Sequence, residues 1–231
     1  MKKLLSGKRL AVLVENKFIP EEIDAYRNCF AQQGARVDLL SRIWFGDYNP
    51  AKAGDNFHAP TFYSDVDPLD SQPWQTPVPL AMEKLNDISA VRVTDYDAII
   101  MSANFTSVRL RWDFFQDGNA DYKTLPPGFD IETFIRQPPV VRFFAEAMQH
   151  KHIVKGALCH GLWILSPYPE LLRDRRVICN PVVMADIRNC GARITLNATG
   201  VVVDDDLVTG YSKHEVMPFI DAIIDQVLAR N

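Results

Sequence analysis

The sequence predicts a three-layer α/β sandwich built on a mostly parallel sheet. Two patterns carry that expectation. Short apolar runs (Arg9–Val14, Val37–Leu40, Tyr96–Met101 and Ile153–Leu158) have strand length, and the first is apolar enough to be buried on both faces of a parallel sheet. Segments with helical features stand between many of the strands, so that strands and helices alternate. At 231 residues the chain suffices for one large α/β domain or two small ones, and 47% hydrophobic against 23% charged residues supports a packed core.

The first strand, Arg9–Val14, leads through Glu15-Asn16-Lys17 to Pro20, which suits the first turn of a helix. Ile23, Tyr26, Arg27, Phe30 and Ala31 trace its face as far as Gln33, and Gly34 stops it. Val37–Leu40 is the second strand. Residues 41–93 then break the rhythm with prolines at 50, 60, 68, 73, 77 and 79, and a helix from Pro79 to about Asn86 is the one local element expected there. Long irregular connections usually carry a lid, a binding loop or an interface, the alternative being a surface meander pinned by its aromatics. Tyr96–Met101 is a buried strand ending at Ser102-Ala103-Asn104, and a second irregular section runs from 105 to 137. It carries Arg109 and Arg111, which suit a substrate anion or an ordinary surface ion pair. Pro138 and Pro139 start a helix reaching His150, and strand 153–158 follows. Arg176–Cys179 is a short strand, Pro181–Asn189 a helix closed by Cys190-Gly191, and 201–203 with 207–209 a hairpin around three Asp residues. His214–Ala229 is an amphipathic helix with Ile220, Ile223, Ile224 and Val227 toward the sheet. Ligands of such sheets sit at the carboxyl ends of the strands, which puts Glu15, Ser102 and Cys159 at or beyond one edge.

Composition excludes several classes. The formal net charge is −4 and the isoelectric point about 5.7, with no basic stripe interleaved with aromatics, so no nucleic-acid partner is expected. The apolar run Leu10–Val14 is too short for a signal peptide or a membrane span, so the expectation is a soluble, cytoplasmic protein with no membrane partner. Cys29, Cys159, Cys179 and Cys190 are too widely spaced to suggest a secreted disulfide framework. No C-x-x-C, no H-E-x-x-H and no nucleotide or flavin signature occurs, so no metal and no cofactor is expected.

Chemistry concentrates at Ala157-Leu158-Cys159-His160-Gly161, a strand end followed by a run able to start a helix. The pattern reads like the G-x-S-x-G nucleophile elbow with Cys for Ser and Ala for the first Gly. A Cys there is held out on a tight turn, and a helix N-terminus beneath it favours thiolate over thiol. Gly161 leaves room for the close turn. The plainer alternative is a buried structural Cys beside a loop His.

The elbow, followed by Leu171-Leu172-(x)3-Arg176-Val177, Asp186-Ile187-Arg188-Asn189-Cys190-Gly191-Ala192 and Val203-Asp204-(x)2-Leu207-Val208-Thr209, resembles the ThiJ/PfpI (DJ-one) family of the class I glutamine-amidotransferase-like superfamily. The resemblance is specific from about 138 to 225, looser over 9–40 and absent over 43–92 and 105–137. It implies a flavodoxin-like α/β/α sandwich, one domain over 1–231 with irregular insertions at about 43–92 and 105–137, and a homodimer. It also implies roles. Cys159 would be the nucleophile and His160 its base or the imidazolium that stabilises the thiolate. Glu22, about a dozen residues before Gly34, would be the acid that reaches the Cys, with Glu15 and Glu21 as alternatives. Asp186 is the in-chain candidate to orient His160. The oxyanion and substrate-binding positions would be the N–H of His160, with Gly161, Ala103 and Asn104; Arg109 joins them as a candidate from its place beyond a strand end, outside the reach of the resemblance. Relatives often carry Gly-Gly where this chain has Ser102-Ala103-Asn104.

These roles describe a cysteine-dependent enzyme acting on a small carbonyl or amide, by hydrolysis, hydration or glyoxalase-type isomerisation. The alternatives are a redox sensor or chaperone-like protein using an oxidisable Cys159, and a relative that has lost catalysis.

Overall fold

The computed structural model describes residues 3–43, 60–65, 76–111 and 128–230. In chain order the elements are β1 (Arg9–Leu13), α1 (Pro20–Gln32), β2 (Arg36–Leu40), β3 (Thr61–Tyr63), β4 (Pro79–Ala81), β5 (Ala98–Met101), α2 (Thr106–Leu110), α3 (Ile131–Arg136), α4 (Pro139–Ala147), β6 (Val154–Leu158), β7 (Arg176–Val177), α5 (Pro181–Asn189), β8 (Arg193–Ile194), β9 (Val201–Asp204), β10 (Leu207–Gly210) and α6 (Val216–Ala229). The main sheet has the order β2-β1-β5-β6-β10-β9. All its pairings are parallel except the β9–β10 hairpin.

Alternation along the strands divides the core into two layers. Leu10, Val12, Ala98, Ile100, Val154, Leu158 and Val208 pack on one face against α1 and α6, through Ile23, Tyr26, Phe30, Phe219, Ile223 and Val227. Ala11, Leu13, Ile99, Met101 and Ala157 face the other way, onto Val140, Val141 and Phe144 of α4 and Val183 and Ile187 of α5. Both faces are therefore covered, which is why these strands read as continuous apolar runs. Proline opens α1, α4 and α5, where its fixed φ suits the first turn and its missing N–H costs nothing. A Cβ on Gly156 would stand 2.8 Å from the Phe219 ring, so the bare strand lets α6 lie close.

The helix expected from Pro79 to Asn86 is absent. Residues 79–81 instead form β4, antiparallel to β3, and a 3-10 turn follows at Lys84–Asn86. Pairing with Thr61–Tyr63 satisfies this backbone, and Asn86 ties the turn to β2 by donating from Nδ2 to the Leu39 carbonyl at 2.8 Å. Within the second expected irregular section lie α2 and α3, the latter capped by Asp130, which accepts from the Thr133 N–H at 3.1 Å. The strand expected over 176–179 is shorter, at 176–177, and pairs with β8 outside the main sheet. Most of the Pro-rich 43–92 stretch before β4 lies outside the described residues, apart from 43, 60–65 and 76–78. Among the described residues, no helix is long and apolar enough to cross a membrane.

Candidate active site

Parallel pairing sets Leu13, Met101, Ala157 and Thr209 in one row. The chain therefore leaves β1, β5, β6 and β10 along a single edge. There Cys159 turns off the end of β6 at φ +59, a left-handed conformation that costs a non-glycine residue about 1–3 kcal/mol. Two backbone bonds hold it: the Cys159 N–H donates to Gly210 at 2.8 Å, and its carbonyl accepts from the Asn180 N–H at 3.2 Å. A Cβ on Gly161 would come 3.0 Å from the Met101 carbonyl oxygen, so the elbow leaves little room for any side chain there.

The backbone N–H groups of Asn104, His160 and Lys213 face the Cys159 sulfur, and all of them favour the thiolate. They are outweighed. Burial first, and then the charge of Glu22, push the thiol up to about 11, with the residue only 8% exposed. This corrects the expectation of a thiolate sustained by a helix N-terminus. The segment after His160 is a 3-10 turn of five residues, Gly161–Leu165, too short to build a substantial dipole, and desolvation dominates.

Of the three candidate acids, Glu22 is the one buried beside Cys159. Both its carboxylate oxygens accept from the Ala103 N–H, at 2.9 and 3.0 Å. Burial overrides that bond and raises the carboxyl to about 7. The Tyr26 hydroxyl, one helical turn on, shares the buried space with Glu22 and Cys159, and burial with the Glu22 charge lifts it well above its usual range. Glu15 is fully buried but turned to the Asn16 N–H at 2.9 Å and to Arg109 at 3.8 Å, while Glu21 stands exposed on the cavity rim.

The His160 ring lies edge-on to Phe105, with centroids 5.1 Å apart, and 5.5 Å from Trp163. Burial lowers its pKa against the opposing effects of Asn180 and the Asn104 backbone, so the imidazole is neutral at pH 7. Asp186 does not orient it. The Asp186 carboxylate accepts from the Trp163 indole N–H at 2.8 Å, and the side chain beside His160 is Asn180. Arg109 is corrected too. It lies 41% exposed in an ion pair with Glu15 of its own chain and does not line the cavity. Asn180 was missed by sequence reasoning, although an Asn-Pro pair at a strand-to-helix junction signals a cap whose amide sits at the sheet edge.

Cys159 and His160 open into a cavity of about 570 Å³. Asn104, Asn180 and Lys213 border it, and Ser64, Asp65 and Val78 close one side from the β3–β4 region. Among the described residues no cluster of His, Cys, Asp and Glu is close enough to hold a metal ion.

The sequence model of the DJ-1/PfpI family matches residues 87–226, more than half of the chain. This chain is a DJ-1/PfpI protein. Its fold recurs in a two-domain protein from Anabaena variabilis that joins a DJ-1/ThiJ/PfpI-like to a ferritin-like domain (19% identity, TM-score 0.66), where 95% of this chain covers 48% of that one. It recurs also in a ThiJ/PfpI domain protein from Brachyspira murdochii (14% identity, TM-score 0.64, 97% of this chain and 98% of that one) and in Schizosaccharomyces pombe DJ-1 (14%, 0.63, 95% and 91%). At these identities the likeness carries the fold of the DJ-1/PfpI protein and no more. A search of curated proteins finds no match.

Proposed function

We propose that this protein is a cysteine-dependent enzyme that acts on a small carbonyl or amide, with Cys159 as nucleophile and Glu22 as its proton partner. The observation that carries this reading is a pairing beside the cavity: Cys159, held on a left-handed turn at the end of β6, stands next to the fully buried carboxyl of Glu22, and burial pushes the thiol up to about 11 and the carboxyl to about 7. A thiol with so high a pKa reacts at neutral pH only when a base takes its proton during attack, and a base matched to the working pH does so best. As the S–C bond forms, the thiol proton passes to the Glu22 carboxylate and the carbonyl π pair moves onto oxygen. The N–H groups of Asn104, His160 and Lys213, which now face the sulfur, stand ready to hold that oxygen. Glu22 then returns its proton to the oxyanion, giving a thiohemiacetal from an aldehyde, or to the leaving amine, giving a thioester from an amide. Neutral His160 is suited to take a proton from the water that cleaves the thioester.

A redox sensor asks for an exposed thiolate at rest, and the burial of Cys159 argues against it. The test is turnover of a panel of small α-oxoaldehydes, aldehydes and amides. The reading expects activity on one class, reduced by at least about 100-fold in Cys159→Ser. No turnover on any class, with Cys159 selectively oxidised by peroxide, would favour the sensor.

A further inference from the structure

Asn104 is a non-glycine residue at φ +63; it lines the cavity beside Cys159, and its peptide N–H faces the Cys159 sulfur. Such a backbone is strained for most side chains, although Asn tolerates it better than others. Its amide nitrogen is held by two acceptors. Nδ2 donates to the Lys17 carbonyl at 2.9 Å and to Asp65 Oδ2 at 2.9 Å. Asp65 is itself fixed: its other oxygen pairs with Lys17 Nζ at 2.8 Å, and its N–H donates to the Phe18 carbonyl at 3.0 Å. The strand before it is tied down as well, since Tyr63 accepts from the Lys17 N–H at 2.8 Å and donates to Asn16 Oδ1 at 2.8 Å. Asp65 belongs to the 43–92 stretch, which the motifs of the elbow do not reach.

We propose that Asp65 is a positioning residue, a clamp from the β3–β4 region that locks Asn104 in its left-handed conformation and so aims the Asn104 N–H at the Cys159 sulfur. The inference rests on the reading of Cys159 as the reactive thiol. It assigns a task to a segment that shares no motif with the rest of the site: the insertion completes the donor set around the sulfur besides walling the cavity.

The readout is the pH dependence of Cys159 alkylation by iodoacetamide, followed by mass spectrometry. Among the described residues the other titratable groups around the sulfur are Glu22 and Tyr26 from α1 and Cys179 from the loop after β7, with His160 adjacent in the chain and Glu21, Lys213 and His214 lining the same cavity, and the variants below leave all of them in place. In Asp65→Ala the sulfur loses an aimed donor. Its midpoint rises by about 1, and alkylation at pH 9 slows about threefold once the greater nucleophilicity of a more basic thiol is allowed for. Asp65→Asn keeps an acceptor for the Asn104 amide and retains the wild-type profile. Asp65→Ala with Asn104→Gly recovers most of the lost rate, because glycine takes the left-handed backbone without a clamp. Near-UV circular dichroism shows that each variant is folded. An Asp65→Ala profile that superimposes on a reactive wild type overturns the clamp, as does a shift that Asn104→Gly leaves uncorrected. A wild-type Cys159 that resists alkylation throughout overturns the reading of the site, and the clamp falls with it.

Discussion

At the scale of single residues, the decisive quantity is where the proton sits between Glu22 and Cys159. A carboxyl raised from its usual 4.5 to about 7 by burial binds its proton more tightly folded than unfolded. Its contribution to stability is therefore complete below about 4.5 and is lost as pH rises through about 7. The size of that loss is about 3 kcal/mol at 1.36 kcal/mol per pH unit. Glu22→Gln keeps an acceptor for the Ala103 N–H and does not titrate. Relative to wild type it should gain about 3 kcal/mol of stability between pH 4 and pH 8, as measured by urea unfolding at both values. The same variant removes the charge that raises Cys159, so the thiol's midpoint should fall, read by alkylation against pH. Cys159, His160 and Glu22 were legible from motif and spacing. The direction of the Cys159 shift was not, because Glu22, Tyr26, Asn104, Cys179 and Lys213, which surround the sulfur, all lie far from it in sequence.

At the scale of elements, the parallel strands, the three Pro-started helices and the β9–β10 hairpin follow from local pattern, and the sequence anticipated them. What it lacked were elements whose backbone partners lie far away. β4 forms because β3 waits some twenty residues upstream, and β7 pairs with β8 across α5. Asp186 shows the same limit: motif position put it near His160, but its carboxylate found the indole of Trp163 first. The elbow depends on neighbouring strands, since Gly161 lies against the end of β5. Gly161→Ala should force a Cβ toward the Met101 carbonyl, displace the turn, and slow Cys159 alkylation by more than threefold at pH 9 while the protein still unfolds cooperatively. Alkylation rates with a thermal melt check this.

At the scale of the whole molecule, the two ends of β6 serve different purposes. Its carboxyl end presents Cys159. Toward its other end Lys155 is fully buried, ion-paired with Asp206 and donating to the His150 carbonyl at 3.0 Å, and Arg175 bonds Asp206 at 2.8 Å. Removing one partner of a buried pair leaves a desolvated charge and typically costs about 3–5 kcal/mol. Asp206→Ala should therefore lower the urea midpoint strongly, yet leave the pH profile of Cys159 alkylation unchanged below the unfolding transition. Equal losses in both would show that the site and this ion pair are one unit.

In the proposed reaction Glu22 is the base for Cys159. The direct measurement is the pH dependence of acyl transfer to Cys159 from p-nitrophenyl acetate, followed as the burst of nitrophenolate in wild type and Glu22→Gln. With Glu22 as base, the rate rises through an apparent pKa near 7 in wild type, and that inflection is lost in Glu22→Gln. A rate that climbs steadily toward pH 11 alike in both proteins would contradict it, leaving Cys159 to react as an unassisted thiolate.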